Sequence, residues 1–165
     1  MAEPVQPIPA GYHTATPYLI VHDGAQALDF YKRAFDAREV VFMEGPGGKI
    51  AHAEFKIGDS KIMLGDEMPG GDVRSPQSLG GTTGGIFLYV KDVDEAYNRA
   101  VAAGARSVAP VTDMFWGDRY GKLADPFGHS WSLATHKEDV APEELKKRSD
   151  AFMAKMAASQ KAKTA

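Results

Sequence analysis

Apolar and polar residues alternate with a period of two in several short stretches, which predicts β-strands that bury one face and expose the other. Two stretches with helical spacing interrupt these strands. Each follows an aspartate, Asp23 or Asp92, with Gln or Glu three residues further on, which is the spacing of a capping box. We expect the first helix to end near Phe35 and the second near Ala103, just before a glycine.

The two helical stretches belong to an internal repeat. The shift that places Asp23 on Asp92 also places Leu19 on Leu88 and Val21 on Val90. Further strands are predicted at Arg38–Met43, Lys49–Ile57 and Ser60–Leu64 in the first copy, and at Ser107–Val111, Tyr120–Ala124 and Ser130–Ala134 in the second. Each copy therefore has the order βαβββ. Because one unit of this size can hardly bury its own sheet, two copies should pack together in an α+β fold.

The alternation divides the strand residues into two rows. We expect helices to cover the apolar row, which contains Leu19, Val21, Ala51, Ala53, Phe55, Ile57, Ile62, Leu64, Ile86, Leu88, Val90, Trp131 and Leu133. The opposite row is mixed and contains Tyr18, Ile20, Ile50, His52, Glu54, Lys56, Lys61, Met63, Phe87, Tyr89, Ser130 and Ser132. Aromatic walls with a few polar groups are typical of a small-molecule cleft. The alternatives are a partly hydrated sheet face or a dimer surface.

The two ends of the chain lack this alternation. Residues 1–11 contain three prolines and predict an extended N-terminal segment. Residues 137–165 predict a C-terminal helix that begins at Pro142 and frays from Ser159 onward. Its expected apolar stripe consists of Leu145, Phe152 and Met156.

Composition narrows the classes of function. The 165 residues include 19 basic and 22 acidic side chains, a net charge of −3, so no overall positive field favours nucleic acid or an anionic membrane. No apolar run reaches the roughly 20 residues of a membrane span. The absence of cysteine excludes disulfides, thiolate nucleophiles and iron–sulfur clusters. These features predict a soluble cytoplasmic domain.

Three segments carry a resemblance to a known family: DFYKRAF at 29–35, HAEFKIGDSKIMLGDE at 52–67, and WGDRYGKLADPFGHSWSLATH at 116–136. Over residues 12–136 the chain resembles the glyoxalase/bleomycin-resistance/dioxygenase superfamily, also called the vicinal oxygen chelate fold. It is most similar to the PhnB-like branch, which lacks the usual metal site. The resemblance implies two βαβββ modules, at about 12–66 and 81–136, whose curved mixed sheets surround a shared cleft, usually in a homodimer.

Metal-dependent members of that superfamily take one ligand from the first and last strand of each module. Carried onto this chain, the four positions are Thr16, Met63, Gly85 and Ser132. A methionine, a glycine and two hydroxyls do not form a site for a catalytic divalent ion, which needs several His or carboxylate ligands. We therefore expect no metal and no other cofactor.

His52 and Glu54 are the candidate catalytic residues. They lie two apart on one strand face, roughly 6.5–7 Å from each other, so the carboxylate can act on the imidazole or both can contact one ligand. The alternative interpretation is a polar pair that only hydrates the cleft.

Trp116 and Arg119 occur in a glycine-flanked loop. Trp116 can stack on a planar ligand and Arg119 can bind an anionic group with two donors. The alternative is that Arg119 pairs with Asp118 or Asp125. The Asp125–Gly128 stretch itself is expected to form a turn, with Pro126 fixing φ and a glycine at the end.

The leading hypothesis is a metal-free protein that binds a small organic molecule, with acid/base chemistry left open. The residues expected to line the cleft, besides the catalytic pair, are Tyr18, Lys61, Met63, Phe87, Tyr89, Trp116, Arg119 and Ser132. One alternative is a metal-dependent glyoxalase-type lyase or dioxygenase. Another is a drug-sequestering protein for a cationic drug; the acidic charge of the domain favours it, whereas Lys61 and Arg119 argue against it.

Overall fold

The computed structural model describes residues 5–164, with side chains to residue 159. The first module consists of β1 (Tyr18–Val21), α1 (Gly24–Phe35), β2 (Arg38–Glu44), β3 (Ile50–Ile57) and β4 (Ser60–Asp66). A short helix, α2 (Pro76–Leu79), leads to the second module, which consists of β5 (Gly85–Tyr89), α3 (Val93–Ala103), β6 (Arg106–Asp113), β7 (Asp118–Ala124) and β8 (Ser130–His136). The C-terminal helix is α4 (Pro142–Thr164).

The predicted α+β fold with two βαβββ modules is confirmed. Each module forms one four-stranded sheet, sheet A in the order β1-β4-β3-β2 and sheet B in the order β5-β8-β7-β6. In both sheets the first strand pairs in parallel with the last, and the other pairs are antiparallel. Both sheets are therefore mixed and open, and β2 and β6 are edge strands.

The predicted helix caps are also present. The Asp23 carboxylate accepts a hydrogen bond from the backbone amide of Gln26, and Asp92 accepts one from Glu95, each at 3.0 Å. The second helix ends as expected, at Gly104 with a φ of 119°. These contacts satisfy amide groups that the first helical turn would otherwise leave without a partner.

The two modules share one hydrophobic core, and α1 lies at its centre. The ring of Tyr31 on α1 stacks on Phe55 of sheet A at 5.2 Å and packs against Trp131 of sheet B at 5.4 Å. The backbone carbonyl of Ala34 accepts a hydrogen bond from Arg99 of α3. The covered rows of both sheets thus face the same helices, so the opposite face of each sheet points away from the core.

The Asp125 carboxylate connects the turn before β8 to α1 and to sheet B. Its Oδ1 accepts hydrogen bonds from the backbone amides of Phe127 and His129, at 2.9 and 2.8 Å, which closes the predicted turn. Its Oδ2 accepts from the Tyr31 hydroxyl at 2.8 Å and the Trp131 indole at 2.9 Å. Burial and the Asp125 charge raise the pKa of the Tyr31 hydroxyl well above its usual value. The turn at Asp125 is therefore also joined to α1 by a hydrogen bond.

One part of the predicted alternation is wrong. Ile50 was expected on the exposed row and Ala51 on the covered row, whereas Ile50 is 4% exposed and Ala51 is exposed. The β2–β3 register is irregular between Met43 and Glu44, and this irregularity reverses the phase at the start of β3. Ile50 instead packs against Gly24, where an added Cβ would lie 2.7 Å from the Ile50 side chain.

The N-terminal segment is not extended throughout. The amide of Tyr12 donates to the carbonyl of Pro9 at 3.1 Å, and Gly11 has a φ of 79°, so residues 9–12 form a turn. Residues 1–4 of the predicted extended segment lie outside the described residues.

The C-terminal helix begins at Pro142 as predicted and continues to Thr164, past the expected fraying point at Ser159. Of its predicted apolar stripe, Phe152 packs on Phe115 at 5.1 Å, whereas Met156 is exposed. Within the described part of the chain, no helix has the length and apolar character needed to cross a membrane.

Candidate functional site

The outward face of sheet A carries a group of polar and aromatic side chains, here called the Glu54 cluster: Tyr12, Tyr18, His52, Glu54 and Lys61. His52 and Glu54 come from β3, Lys61 from β4 and Tyr18 from β1, which are adjacent strands. Met63 lies between them, paired with Glu54 on one side and Tyr18 on the other. The period of two that was read from the sequence therefore places these predicted residues on one face.

Glu54 is the centre of this cluster, and its side chain is only 24% exposed. Its Oε2 accepts a hydrogen bond from the Tyr12 hydroxyl and lies 3.8 Å from the Lys61 ammonium. Its Oε1 lies 3.3 Å from Nε2 of His52. The hydrogen bond from Tyr12, followed by the one from His52, lowers the pKa of the Glu54 carboxyl. The same bond raises the pKa of Tyr12 to about 12. Glu54 is therefore a stable carboxylate and a poor proton donor.

Aromatic contacts fix the rest of the cluster. Tyr18 stacks on the His52 ring with centroids 5.8 Å apart and an interplanar angle of 16°. The Lys61 ammonium lies 4.2 Å from the centre of the Tyr12 ring, a cation–π contact. The Tyr18 hydroxyl lies above Gly65, where an added Cβ would be 2.9 Å away. Gly65 thus leaves room for the Tyr18 ring beside the imidazole.

Tyr12 was missed as a site residue because it lies in a segment without periodicity. The available signal was local: Pro9, Ala10 and Gly11 precede it, and proline followed by glycine two residues later is a turn pattern. This turn sends the chain back across sheet A, so that the Tyr12 hydroxyl reaches Glu54.

The outward face of sheet B is mainly aromatic, and we call it the aromatic face: Phe87, Tyr89, Trp116 and Tyr120. Phe87 stacks on Tyr120 with centroids 5.9 Å apart and packs against Tyr89 at 5.0 Å. Trp116 meets Tyr120 edge to face at 5.7 Å. Phe87 and Tyr89 are exposed and therefore accessible to a ligand.

A buried carboxylate anchors one end of this aromatic face. Asp118 is 3% exposed, and its Oδ2 accepts hydrogen bonds from the Tyr89 hydroxyl and the Trp116 indole, both at 3.0 Å. Its Oδ1 lies 2.8 Å from Nδ1 of His136. Asp118, and to a lesser extent Asp139, raises the pKa of His136. Sequence reasoning missed His136 as part of the site, because its only signal was its position at the end of a strand.

Arg119 does not lie on the outward face. Its Nε and one terminal nitrogen donate to the two oxygens of Asp94 on α3, at 2.6 and 2.7 Å, and the other donates to Asp113 at 3.1 Å. The predicted pairing with Asp118 or Asp125 is wrong, and the arrangement gives no support to Arg119 as a ligand-binding residue. The reason is strand alternation: Asp118 and Tyr120 lie on the side of the aromatic face, so Arg119 between them points to the helix side and reaches Asp94 on α3.

The two outward faces stay separate within one chain. Among the described residues, no hydrogen bond, ion pair or aromatic contact joins a side chain of the Glu54 cluster to one of the aromatic face. They approach at a crevice of about 290 Å³, where Tyr18 lies near Gly85 and Ser130. The structure thus forms the two sheets of the expected cleft without closing them on each other.

Comparison with known proteins places this fold in a family. The model of the glyoxalase/bleomycin resistance protein/dioxygenase superfamily matches residues 12–133. The chain belongs to this superfamily. An uncharacterised protein of Mycobacterium bovis is 47% identical over 133 residues, which cover 79% of this chain and 88% of that protein.

Solved structures of other proteins show a similar fold. TioX from Micromonospora sp. ML1 is 28% identical and has a TM-score of 0.58, covering 78% of this chain and 100% of its own. The PhnB protein from Bacillus cereus is 19% identical with a TM-score of 0.56, covering 74% of this chain and 99% of its own. The likeness to the Bacillus cereus protein concerns the fold alone.

The metal site of metal-dependent superfamily members was mapped to Thr16, Met63, Gly85 and Ser132, and these residues do not fit a catalytic divalent ion. Gly85 offers no side chain, and Met63 offers only a thioether. The Ser132 hydroxyl is paired with the Tyr120 hydroxyl at 3.0 Å. These are weak ligands for an ion that requires imidazole or carboxylate groups.

The Glu54 cluster does not supply a substitute metal site. It combines one carboxylate and one imidazole with the Lys61 ammonium, whose positive charge lies 3.8 Å from the carboxylate and opposes a second cation. Among the described residues, no group of three or more His, Cys, Asp or Glu side chains is arranged to hold a metal.

Proposed function

We propose that the chain is a metal-free, PhnB-like member of the superfamily that binds a small organic molecule on the outward faces of its sheets. The observation that carries this proposal is the Glu54 cluster. The Glu54 carboxylate is mostly withdrawn from water, although it lies on a face directed away from the core helices. Fixed partners or a ligand must replace the hydration that it loses. Neighbouring rings and a few convergent polar groups are typical of small-molecule sites.

A second copy of the chain would complete the binding cleft. The two outward faces point away from the shared core, so the aromatic face of one copy can cover the Glu54 cluster of another. Support comes from Val41 and Met43 on edge strand β2, which pair with Glu54 and His52 and are 60% and 62% exposed. Such exposed apolar residues beside a polar site favour an interface.

Sedimentation tests the proposed homodimer. We expect the full chain to sediment as a dimer, and Met43→Glu to shift it toward the monomer because a charge would be buried without a partner. Leu79→Glu is the matched control, since Leu79 is equally exposed but lies on α2, far along the chain from β2. A monomeric wild-type chain would contradict the proposed dimer.

We further propose that the Glu54 cluster carries out acid/base chemistry. Ionised Glu54 favours the histidine tautomer in which Nε2–H points toward the carboxylate, and this leaves Nδ1 of His52 as a proton acceptor. Lys61 lies beside Glu54 and can stabilise negative charge that develops on a substrate after proton removal. His52 would be the general base, and Glu54 a positioning residue that orients it.

Ligand-observed NMR against a library of small aromatic compounds tests the binding proposal. We expect some of the compounds to bind the wild-type chain. Their binding signals should be weaker with Tyr18→Ala and with Phe87→Ala, because both rings are exposed and available for stacking. Leu79→Ala removes an equally apolar exposed side chain elsewhere and should leave the hits unchanged. Hits that persist in both aromatic variants would place binding elsewhere and overturn the proposal.

A further inference from the structure

A hollow of about 520 Å³ lies on sheet B, beside the loop of residues 81–85. Its floor is a row of residues paired across the four strands: Gly85 with Ser130, Ser130 with Ala124, and Ala124 with Arg106. Three of these side chains are absent or very short. The hollow therefore exists because the sequence places small residues in a row where neighbouring rows carry long ones.

Two cations border this hollow. Arg106 ends the floor row on β6, and Lys122 stands in the next row on β7, where it pairs with Ser132. Neither cation is in any ion pair among the described residues, and the hollow has no Asp or Glu in its lining. The chain has a net charge of −3. A generally basic composition therefore does not explain why two unpaired cations face one concave surface.

The remaining groups suit an anionic ligand. Ser130 and Ser132 are half-buried hydroxyls on the floor and wall of the hollow. The Tyr120 and Ser132 hydroxyls share one hydrogen bond at 3.0 Å, so one further hydroxyl proton of this pair remains available to a ligand oxygen. Phe87 forms the adjoining wall, where an apolar or aromatic part of the ligand can pack.

From this arrangement we infer that the hollow binds the oxyanion of a small organic acid or phosphate ester, with the guanidinium of Arg106 and the ammonium of Lys122 as its charged donors. Charged donors strengthen hydrogen bonds to carboxylate and phosphate oxygens. This inference rests on the proposed function, because it names the ligand class of the aromatic face. It also disfavours a cationic drug at this face, since two positive groups would repel it.

An NMR titration of the full chain tests the inference. The probes are phenyl phosphate, benzoate and the uncharged benzyl alcohol, and the readout is the backbone amide shift of Gly85, Ser130 and Ser132. We expect both anions to shift these amides and to bind at least roughly tenfold more tightly than benzyl alcohol, because one charge-assisted contact provides about that factor. Their affinity should fall as salt rises.

Two variants remove the charged donors separately. Lys122→Met and Arg106→Gln should each weaken anion binding by about tenfold and leave the binding of benzyl alcohol unchanged. Lys32→Met is the matched control, because Lys32 is exposed on α1 and the change in net charge equals that of Lys122→Met. Amide spectra of each variant establish that it is folded.

The outcomes separate this inference from the proposed function. If benzyl alcohol shifts the aromatic face while the anions bind no more tightly, the anion inference is overturned and small-molecule binding stands. Equal anion affinity in Lys122→Met and Lys32→Met also overturns it. If none of the aromatic probes shifts an amide on either outward face, both the inference and the proposed function are contradicted.

Discussion

Tyr12 and Glu54 lie 42 residues apart, yet the tyrosine hydroxyl donates a hydrogen bond to the Glu54 carboxylate. This contact ties the N-terminal turn to the outward face of sheet A and fixes the charge of the carboxylate. It also sets the Tyr12 ring under the Lys61 ammonium. The electrostatics of the candidate site thus depend on a residue outside both sheets.

Replacing Glu54 with Gln should lower the pKa of Tyr12 from about 12 toward its usual value of 10, because the negatively charged acceptor is lost. The measurement is NMR titration of ring-labelled tyrosine, with the Tyr12 signal assigned from Tyr12→Phe. Glu44→Gln is the matched control, since Glu44 is an exposed carboxylate at the end of β2. An unchanged Tyr12 titration in Glu54→Gln would show that the two side chains do not interact in solution.

The pair of His136 and Asp118 predicts a pH-dependent stability. The folded-state pKa of His136 is raised above its usual 6.5, so the protonated imidazole stabilises the fold. This contribution is fully present below pH 6.5 and is lost as the pH rises through the raised folded-state pKa. We therefore expect the stability advantage of wild type over His136→Gln, measured by urea unfolding, to shrink between pH 6 and pH 9.

A histidine outside this contact provides the comparison. His13 is exposed and precedes β1, so His13→Gln, measured over the same pH range, is the control for loss of an imidazole away from Asp118. If the two histidine variants show the same pH profile, the Asp118 contact does not govern the titration of His136.

Much of the fold could be predicted because its signals are local. The aspartate caps, the glycine after α3 and the alternation in β3, β4 and β8 are all properties of a few consecutive residues. The phase error at Ile50 and Ala51 shows the limit. The cause of this error is the irregular pairing of β2 with β3. Because that pairing depends on two strands at once, the sequence of either strand alone does not reveal it.

The candidate site was predicted in part for the same reason. Alternation placed His52, Glu54, Lys61 and Met63 on one face, and the structure brings them together. It could not identify Tyr12, whose position depends on where a turn directs the chain. Nor could it predict that Arg119 pairs with Asp94, because that contact joins a strand to a helix 25 residues away.

Asp125 should be among the most costly residues to replace. Asp125→Ala removes the acceptor of four hydrogen bonds and leaves the buried Tyr31 hydroxyl and Trp131 indole without partners. We expect a loss of about 3–5 kcal/mol in the free energy of unfolding. Asp125→Asn keeps one oxygen and the shape, and should cost less, about 2 kcal/mol.

Urea unfolding followed by circular dichroism measures both Asp125 variants. Asp59→Ala is the control, because Asp59 is exposed in the β3–β4 turn and, among the described residues, has only the neighbouring Ser60 as a hydrogen-bond partner. A loss in Asp125→Ala no larger than that in Asp59→Ala would mean that the turn does not anchor the core.

The chemistry of Thr16, Met63, Gly85 and Ser132 predicts how the chain responds to metal ions. An ion that binds only the folded state raises the melting temperature according to its concentration and affinity. Because these four residues offer no imidazole or carboxylate, Ni²⁺, Zn²⁺, Mn²⁺ and Fe²⁺ at low micromolar concentration should not raise it above that of chelator-treated protein. The measurement is a thermal-shift series, with Mg²⁺ as the comparison for non-specific effects of divalent charge. A rise with one ion alone that disappears in Glu54→Gln or His52→Gln would instead establish a metal centre in the Glu54 cluster and support the alternative of a metal-dependent lyase or dioxygenase.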